Sequence, residues 1–207
     1  MFINLEGPEG SGKTSQLPAL AEFLRQQGLT VFTTREPGGT PIGEQVRAVI
    51  MSLKNTSMSP RTETLLFCAA RAQLVDEVIR PRLARQEIVL SDRYADATLA
   101  YQGYGHGHDP AQLRQLLNFA TGGLWPDLTL LLDLPSELGL QRKLAHTGGE
   151  WNRMDAYELA FHQRVRAGYF ELVRQEPGRW CVIDAAQPPE MVQLALRQAV
   201  LQRLLAV

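Results

Sequence analysis

Short apolar runs alternate with longer amphipathic stretches along this chain, the pattern of a parallel sheet with helices packed on its faces. Five runs read as strands: Phe2–Glu6, Thr30–Thr34, Glu87–Ser91, Asp127–Leu132 and Trp180–Asp184. They are short and β-branched or aliphatic, and a strand covered on both faces reads as a continuous apolar run rather than an alternating one. Helical stretches lie between them. Lys13–Gln27 ends at Gly28, where a residue without a Cβ can take the left-handed turn that closes a helix. Pro41–Leu53 follows. Ser59-Pro60 and Asp109-Pro110 each join a capping side-chain oxygen to a proline whose missing N–H is harmless in a first turn, so each opens a helix. Pro81 should interrupt the segment that Ser59 opens, because a proline inside a helix removes a hydrogen bond. Tyr157, Phe161, Val165, Gly168 and Leu172 recur at helical spacing, predicting one amphipathic helix over Asp155–Glu176. Pro188-Pro189-Glu190 starts the last helix. Two loops stand out, Glu36–Thr40 and His146–Asn152; the second is polar, contains Gly148-Gly149 and has the composition of a mobile lid.

At 207 residues the chain is long enough for one domain with a proper core and no staples. No internal repeat or low-complexity segment divides it. Lys and Arg number 21 and Asp and Glu 22, a balance that gives no global pull toward nucleic acid or an anionic membrane. Cys68 and Cys181 belong to no metal spacing and are expected as buried, reduced thiols. The N-terminus enters a glycine loop at once, without the basic and apolar regions of a signal peptide. The longest apolar run, Leu128–Leu134, is broken by Thr129 and Asp133 and is too short to span a bilayer. A soluble cytoplasmic protein is expected.

The loop itself carries the strongest chemical signal. Gly7-Pro8-Glu9-Gly10-Ser11-Gly12-Lys13-Thr14 matches G-x-x-x-x-G-K-[ST] in full, between a predicted strand and a predicted helix. Glycines there let successive backbone N–H groups turn inward around phosphate oxygens, and the helix N-terminus adds a favourable dipole. Lys13 can reach the β and γ oxygens, and the Thr14 hydroxyl can ligate Mg²⁺. The motif points to a nucleoside triphosphate and leaves the acceptor open. A second apolar strand ends at Asp92, placed like an acid that holds Mg²⁺ opposite Thr14, since carboxyl ends of parallel strands face the ligand crevice. Arg93 follows into the same crevice.

Four further runs appear in order after the loop: Thr34-Arg35-Glu36-Pro37-Gly38-Gly39-Thr40, Leu66-Phe67-Cys68-Ala69-Ala70-Arg71, Asp92-Arg93-Tyr94 and Ala100-Tyr101-Gln102-Gly103. Together they resemble bacterial thymidylate kinase over nearly the whole chain. The resemblance implies a single α/β domain over 1–207 with a P-loop NTPase fold. It implies a five-stranded parallel sheet in the order 2-3-1-4-5, helices on both faces and a mobile lid at about 142–155. It also implies phosphorylation of dTMP to dTDP with ATP and Mg²⁺, for dTTP synthesis and DNA replication, in a homodimer. Residue by residue, it implies that Phe67 stacks on the base and Arg71 donates to a base carbonyl. Their spacing of four on a predicted helix gives them a shared face. Thr98 would contact the base, Tyr101 would close against the 2′ position of the sugar, and Gln102 would be a further neighbour. Arg93 and Arg47 match positions that hold the acceptor phosphate, and two guanidiniums suit two phosphate anions that must approach in line. Glu9 matches a contact to the 3′-hydroxyl; Glu36, beside Pro37, would orient sugar or arginine.

Transfer of a phosphoryl group draws mainly on positioning and on cations around the group in flight. One branch of the family places an arginine inside the loop, but Pro8, Glu9, Gly10 and Ser11 supply none. The other branch supplies it from the lid, where this chain offers Arg142, Lys143 and Arg153, with His146 where a further cation would be expected. Arg153 and Arg142 are the expected partners of the γ-phosphoryl, with Lys143 behind them. No general base is required, because the acceptor is already an anion. Two rivals remain on the residues alone: a kinase for another monophosphate or a deoxynucleoside, and a nucleotide-dependent switch. The switch would need an N-K-x-D-like segment after a strand. Asn152-Arg153-Met154-Asp155 has Arg in place of Lys and follows a polar stretch.

Overall fold

Strands β1 (Phe2–Glu6), β2 (Val31–Arg35), β3 (Ile88–Asp92), β4 (Leu128–Asp133) and β5 (Trp180–Asp184) form one sheet in the order β2-β3-β1-β4-β5. All four pairings are parallel in the computed structural model, which describes residues 1–145 and 152–205. Side chains alternate across the sheet, yet both faces are covered. Phe2, Val89 and Leu131 enter one apolar cluster, while Ile3, Leu5, Leu90, Leu130 and Leu132 enter the other. That explains runs without a polar stripe. β2, β3 and β4 each sit one residue later than the apolar pattern implied. Burial ends before pairing does: Arg35 pairs with Asp92 and Asp133 with Asp184 at the polar ends of their strands.

The helices are α1 (Lys13–Gln26), α2 (Pro41–Met51), α3 (Pro60–Leu74), α4 (Arg80–Ala84), α5 (Ala95–Thr98), α6 (Pro110–Thr121), α7 (Ser136–Ala145), α8 (Leu159–Gln175) and α9 (Pro189–Leu205). α1 and α9 cover one face of the sheet; α3, α6 and α8 cover the other. Both expected caps form, Ser59 accepting from the N–H of Thr62 and Asp109 from that of Ala111. Pro81 interrupts regular α bonding near the end of the segment that Ser59 opens, as expected, without ending the helical path. A π-helical turn over Val75–Ile79 sends the N–H of Arg80 to the carbonyl of Val75, and Pro81 then falls in the first turn of α4, where no N–H is needed. The helix expected from Asp155 begins at Leu159, because Asp155 is committed to a turn, its carboxylate accepting from the N–H of Asn152 at 2.9 Å. Both cysteines are free, Cys68 buried as expected and Cys181 only partly so. Among the described residues no helix is long and apolar enough to cross a membrane.

The register decides where chemistry can occur. Asp92 lies beside both Leu5 and Arg35, so three chain segments leave the sheet at one edge: the glycine loop after β1, Glu36 after β2 and Arg93 after β3.

Candidate active site

The loop between β1 and α1 turns on glycines in the left-handed region, with Gly10 at φ +70° and Gly12 at φ +89°. Lys13 is buried at 6% exposure. Its Nζ donates to the carbonyls of Gly7 and Pro8 at 2.9 Å each and to Ser11 Oγ at 3.1 Å. Burial, helped by nearby Arg93, lowers the Lys13 ammonium to about 8, against the opposing pull of Glu9, Asp92 and Glu6. The Thr14 hydroxyl donates to Asp92 Oδ2 at 2.8 Å, so the two oxygens proposed for the metal face each other across the strand ends. Among the described residues no group of three or more His, Cys, Asp or Glu side chains could hold a metal by itself.

Arg93 sits at φ +70°, a left-handed conformation that costs a non-glycine residue about 1–2 kcal/mol. The contacts of its guanidinium hold it there. It donates to Glu9 Oε1 at 2.7 Å, to the Tyr101 hydroxyl at 2.9 Å and to the Tyr169 hydroxyl at 3.2 Å, and lies 4.8 Å from the centre of the Tyr101 ring. Tyr169, on α8, donates in turn to Glu6 Oε2 at 2.7 Å. Buried Glu6 also accepts from the backbone N–H groups of Tyr94 and Ala97, tying the start of α5 to β1. Burial would push the Glu9 carboxyl up, but Arg93 and Lys13 outweigh it and hold it at about 2. Glu9 is therefore an acceptor-only carboxylate at neutral pH.

Arg71, on α3, forms the opposite wall at 1% exposure. It donates to Glu36 Oε2 at 2.8 Å, to Thr98 Oγ1 at 3.1 Å and to the carbonyl of Tyr94 at 3.1 Å. Burial pushes Glu36 up to about 7 despite Arg71, and its Oε1 is buried without a hydrogen-bond partner. Because Thr98 accepts from Arg71, its own hydroxyl hydrogen is left for another partner. Arg47 Nη1 donates to the carbonyl of Pro37 at 3.1 Å.

One cavity of about 750 Å³ brings these walls together. Glu9, Gly10, Ser11, Gly12, Lys13, Thr14, Asp92 and Arg93 line it beside Glu36, Pro37, Arg47, Phe67, Arg71, Thr98, Tyr101 and Gln102, with Arg142 and Lys143 of α7 also in the lining. Gly7 and Pro8 stand behind the lining and present their carbonyls to Lys13. Arg153, expected at the γ-phosphoryl, is not in the lining. It is buried at 7% exposure, with Nη2 2.6 Å from Glu63 Oε2 and Nε donating to the carbonyl of Ile50 at 2.8 Å. Arg142 donates to the carbonyl of Ala185 at 2.9 Å, and Lys143 pairs with Asp155 at 3.3 Å. The segment Asn152–Asp155 is thus a turn closed on itself and on α7, not a base-reading strand end. His146 and the rest of 146–151, the tip of the expected lid, lie outside the described residues.

Sequence reasoning gave no role to several residues found here. Arg35, Met51, Asn152 and Met154 also line the cavity; only Arg35 had a local signal, as part of the T-R-E-P-G-G-T run. Gly139, on α7, had none. A methyl group there would fall on the carbonyl of Glu9, and one on Gly10 would fall on the carbonyl of Gly139. The phosphate loop and α7 therefore touch backbone to backbone.

The family model described as Thymidylate kinase matches residues 5–196. The thymidylate kinase of Roseiflexus castenholzii is 54% identical, with 92% of this chain and 88% of the relative covered. That of Herpetosiphon aurantiacus is 50% identical, with 97% and 94% covered. Among solved structures, the crystal structure of thymidylate kinase from Ehrlichia chaffeensis matches with a TM-score of 0.78 at 32% identity, covering 97% of this chain and 98% of that one.

Proposed function

The chain belongs to the thymidylate kinase family, and from that premise we propose that it transfers the γ-phosphoryl of ATP to dTMP, giving ADP and dTDP for dTTP synthesis and DNA replication. The observation that carries this reading is the hydrogen bond from Arg93 to Glu9 at 2.7 Å. It sets the arginine suited to an acceptor phosphate directly on the loop that holds the donor, within one cavity.

In this reading the loop N–H groups hold the β-phosphate and Lys13 bridges β and γ oxygens. Thr14 and Asp92 fit a hard cation that keeps most of its waters, so they would hold Mg²⁺ with the triphosphate. Bound there, Mg²⁺ would neutralise charge on the β and γ oxygens. Arg93 and Arg47 hold the dTMP phosphate, and one of its oxygens attacks the γ-phosphorus as the bond to the β-bridging oxygen breaks and ADP leaves. Phe67 stacks on thymine, with Arg71, Thr98 and Gln102 around the base and Glu36 beside Pro37 near Arg71. Glu9 accepts from the 3′-hydroxyl, and Tyr101, held by Arg93 and Glu9, closes the 2′ side against ribose. Arg142 and Lys143 are the lid cations nearest the phosphates; Arg153 would have to leave Glu63 to join them. We read residues 1–207 as one domain, with its lid at about 142–155, working in the cytoplasm as a homodimer. Sedimentation would test the homodimer.

A steady-state panel of acceptors with ATP and Mg²⁺ decides the substrate. dTMP is expected to be the fastest acceptor; faster turnover of UMP, CMP or thymidine would sink the assignment. GTP hydrolysis independent of dTMP would favour a switch instead.

A further inference from the structure

Glu63 has no role in the reaction as described and does not line the cavity, yet it engages four side chains. It sits in the first turn of α3 at 0% exposure. Its Oε1 accepts from Gln102 Nε2 at 2.7 Å and meets His106 Nε2 at 3.2 Å. Its Oε2 accepts from the Tyr157 hydroxyl at 2.9 Å and lies 2.6 Å from Arg153 Nη2. Four partners fill the roughly four lone-pair positions a carboxylate offers. Burial would push the group up, but hydrogen bonds from His106 and Gln102 and the charge of Arg153 hold it at about 2. It is therefore acceptor-only, and His106 must carry its proton on Nε2.

The two oxygens face different parts of the machine. Oε1 takes the segment that carries Tyr101 and Gln102, the wall of the acceptor pocket. Oε2 takes Arg153 and Tyr157, in the leg by which the chain returns from the lid. Gln102 has its NH2 group committed to Glu63, so its carbonyl oxygen remains for a ligand. Arg153 is further fixed by the carbonyl of Ile50 and by the Tyr157 hydroxyl, at 2.8 Å each.

We propose that Glu63 is a positioning residue of the phosphoryl transfer, the joint through which the acceptor wall holds the return leg of the lid in register. Arg153 is on this account an anchor of the lid. The proposal rests on the kinase reading above, and its test separates the two.

The full-length protein is assayed with ATP, Mg²⁺ and dTMP, and hydrogen exchange is followed over 152–157. In Glu63→Gln, kcat should fall about tenfold and KM for dTMP rise about fivefold, with KM for ATP within about twofold, because the loop is untouched. Exchange over 152–157 should quicken in the same variant. A lower melting temperature with unchanged kcat and KM below it would show a purely structural role and overturn the proposal. If the wild type fails to phosphorylate dTMP, the kinase reading falls and takes the proposal with it. If Glu63→Gln does not fold, Tyr157→Phe decides, since it removes one donor and strands no charge. A drop in kcat of about two- to threefold supports the joint, and wild-type kinetics overturn it.

Discussion

Lys13 finds all three of its hydrogen-bond acceptors in the loop that carries it. Arg71, across the same cavity, takes its acceptors from Glu36, Thr98 and Tyr94, which lie 35, 27 and 23 residues away. The donor side is a local structure that eight neighbouring residues nearly complete. The acceptor side is an assembly that exists only once β2, α3 and the segment after β3 have been brought together. A local loop can lose its key side chain and keep its fold. A buried ion pair across three segments cannot, because removing one partner leaves the other charged, or newly protonated, without its contact.

The largest effect should come from the local side. Lys13→Ala is expected to lower kcat/KM roughly 10²–10³-fold with an unchanged urea midpoint. Folding already disfavours the charged lysine, since burial depresses its ammonium to about 8, so its loss removes no net stability. A large drop in stability would break the comparison. Arg71→Met should do the reverse: about 3 kcal/mol less stability in urea unfolding and a KM for dTMP raised more than about tenfold, with KM for ATP unchanged. Equal damage to both Michaelis constants would mean that the two sides are not separable.

Gly139→Ala probes the seam between them. An alanine suits the helix interior by about 1 kcal/mol, but its methyl would displace the loop at Glu9 and Gly10. We expect kcat to fall about tenfold and the melting temperature to fall as well, because the overlap is with backbone that must shift; full activity would show that the loop gives way without consequence. The mildest test is pH. kcat/KM for ATP reports the free enzyme and should fall on the alkaline side with its midpoint near 8, as Lys13 loses its proton. A limb displaced to the ordinary lysine range would mean that Lys13 is better solvated than its 6% exposure implies.

How much of this was legible follows the same division. The glycine loop, Asp92 at its strand end and the Ser59 and Asp109 caps are short-range patterns, and each stands where the residues put it. Pro81 marked the interruption but not its form, because the π-helical turn before it is a rearrangement of backbone bonding that leaves no mark at the proline itself. Arg153 was less legible. A basic residue in a polar stretch reads as available, and only folding shows that α3 presents it with Glu63 at 2.6 Å. Glu63, Tyr169 and Gly139 carry no local signal; Glu63 meets Gln102 39 residues away and Tyr169 meets Arg93 76 residues away.

By itself the sequence determined that a strand, a phosphate loop and a helix follow in succession, that four more buried strands alternate with helices, and that the acceptor motifs are those of one family. These depend on residues within a turn or two of one another, where sterics and hydrogen bonding act without help from the rest of the chain. Only the tertiary structure decided that Arg93 rests on Glu9, that Arg71 is locked to Glu36, that Arg153 pairs with Glu63 rather than lining the cavity, and that the loop lies against Gly139. Those contacts join groups that are distant along the chain, and their strength comes from burial, which no segment possesses until the sheet and its two helical layers have closed around it.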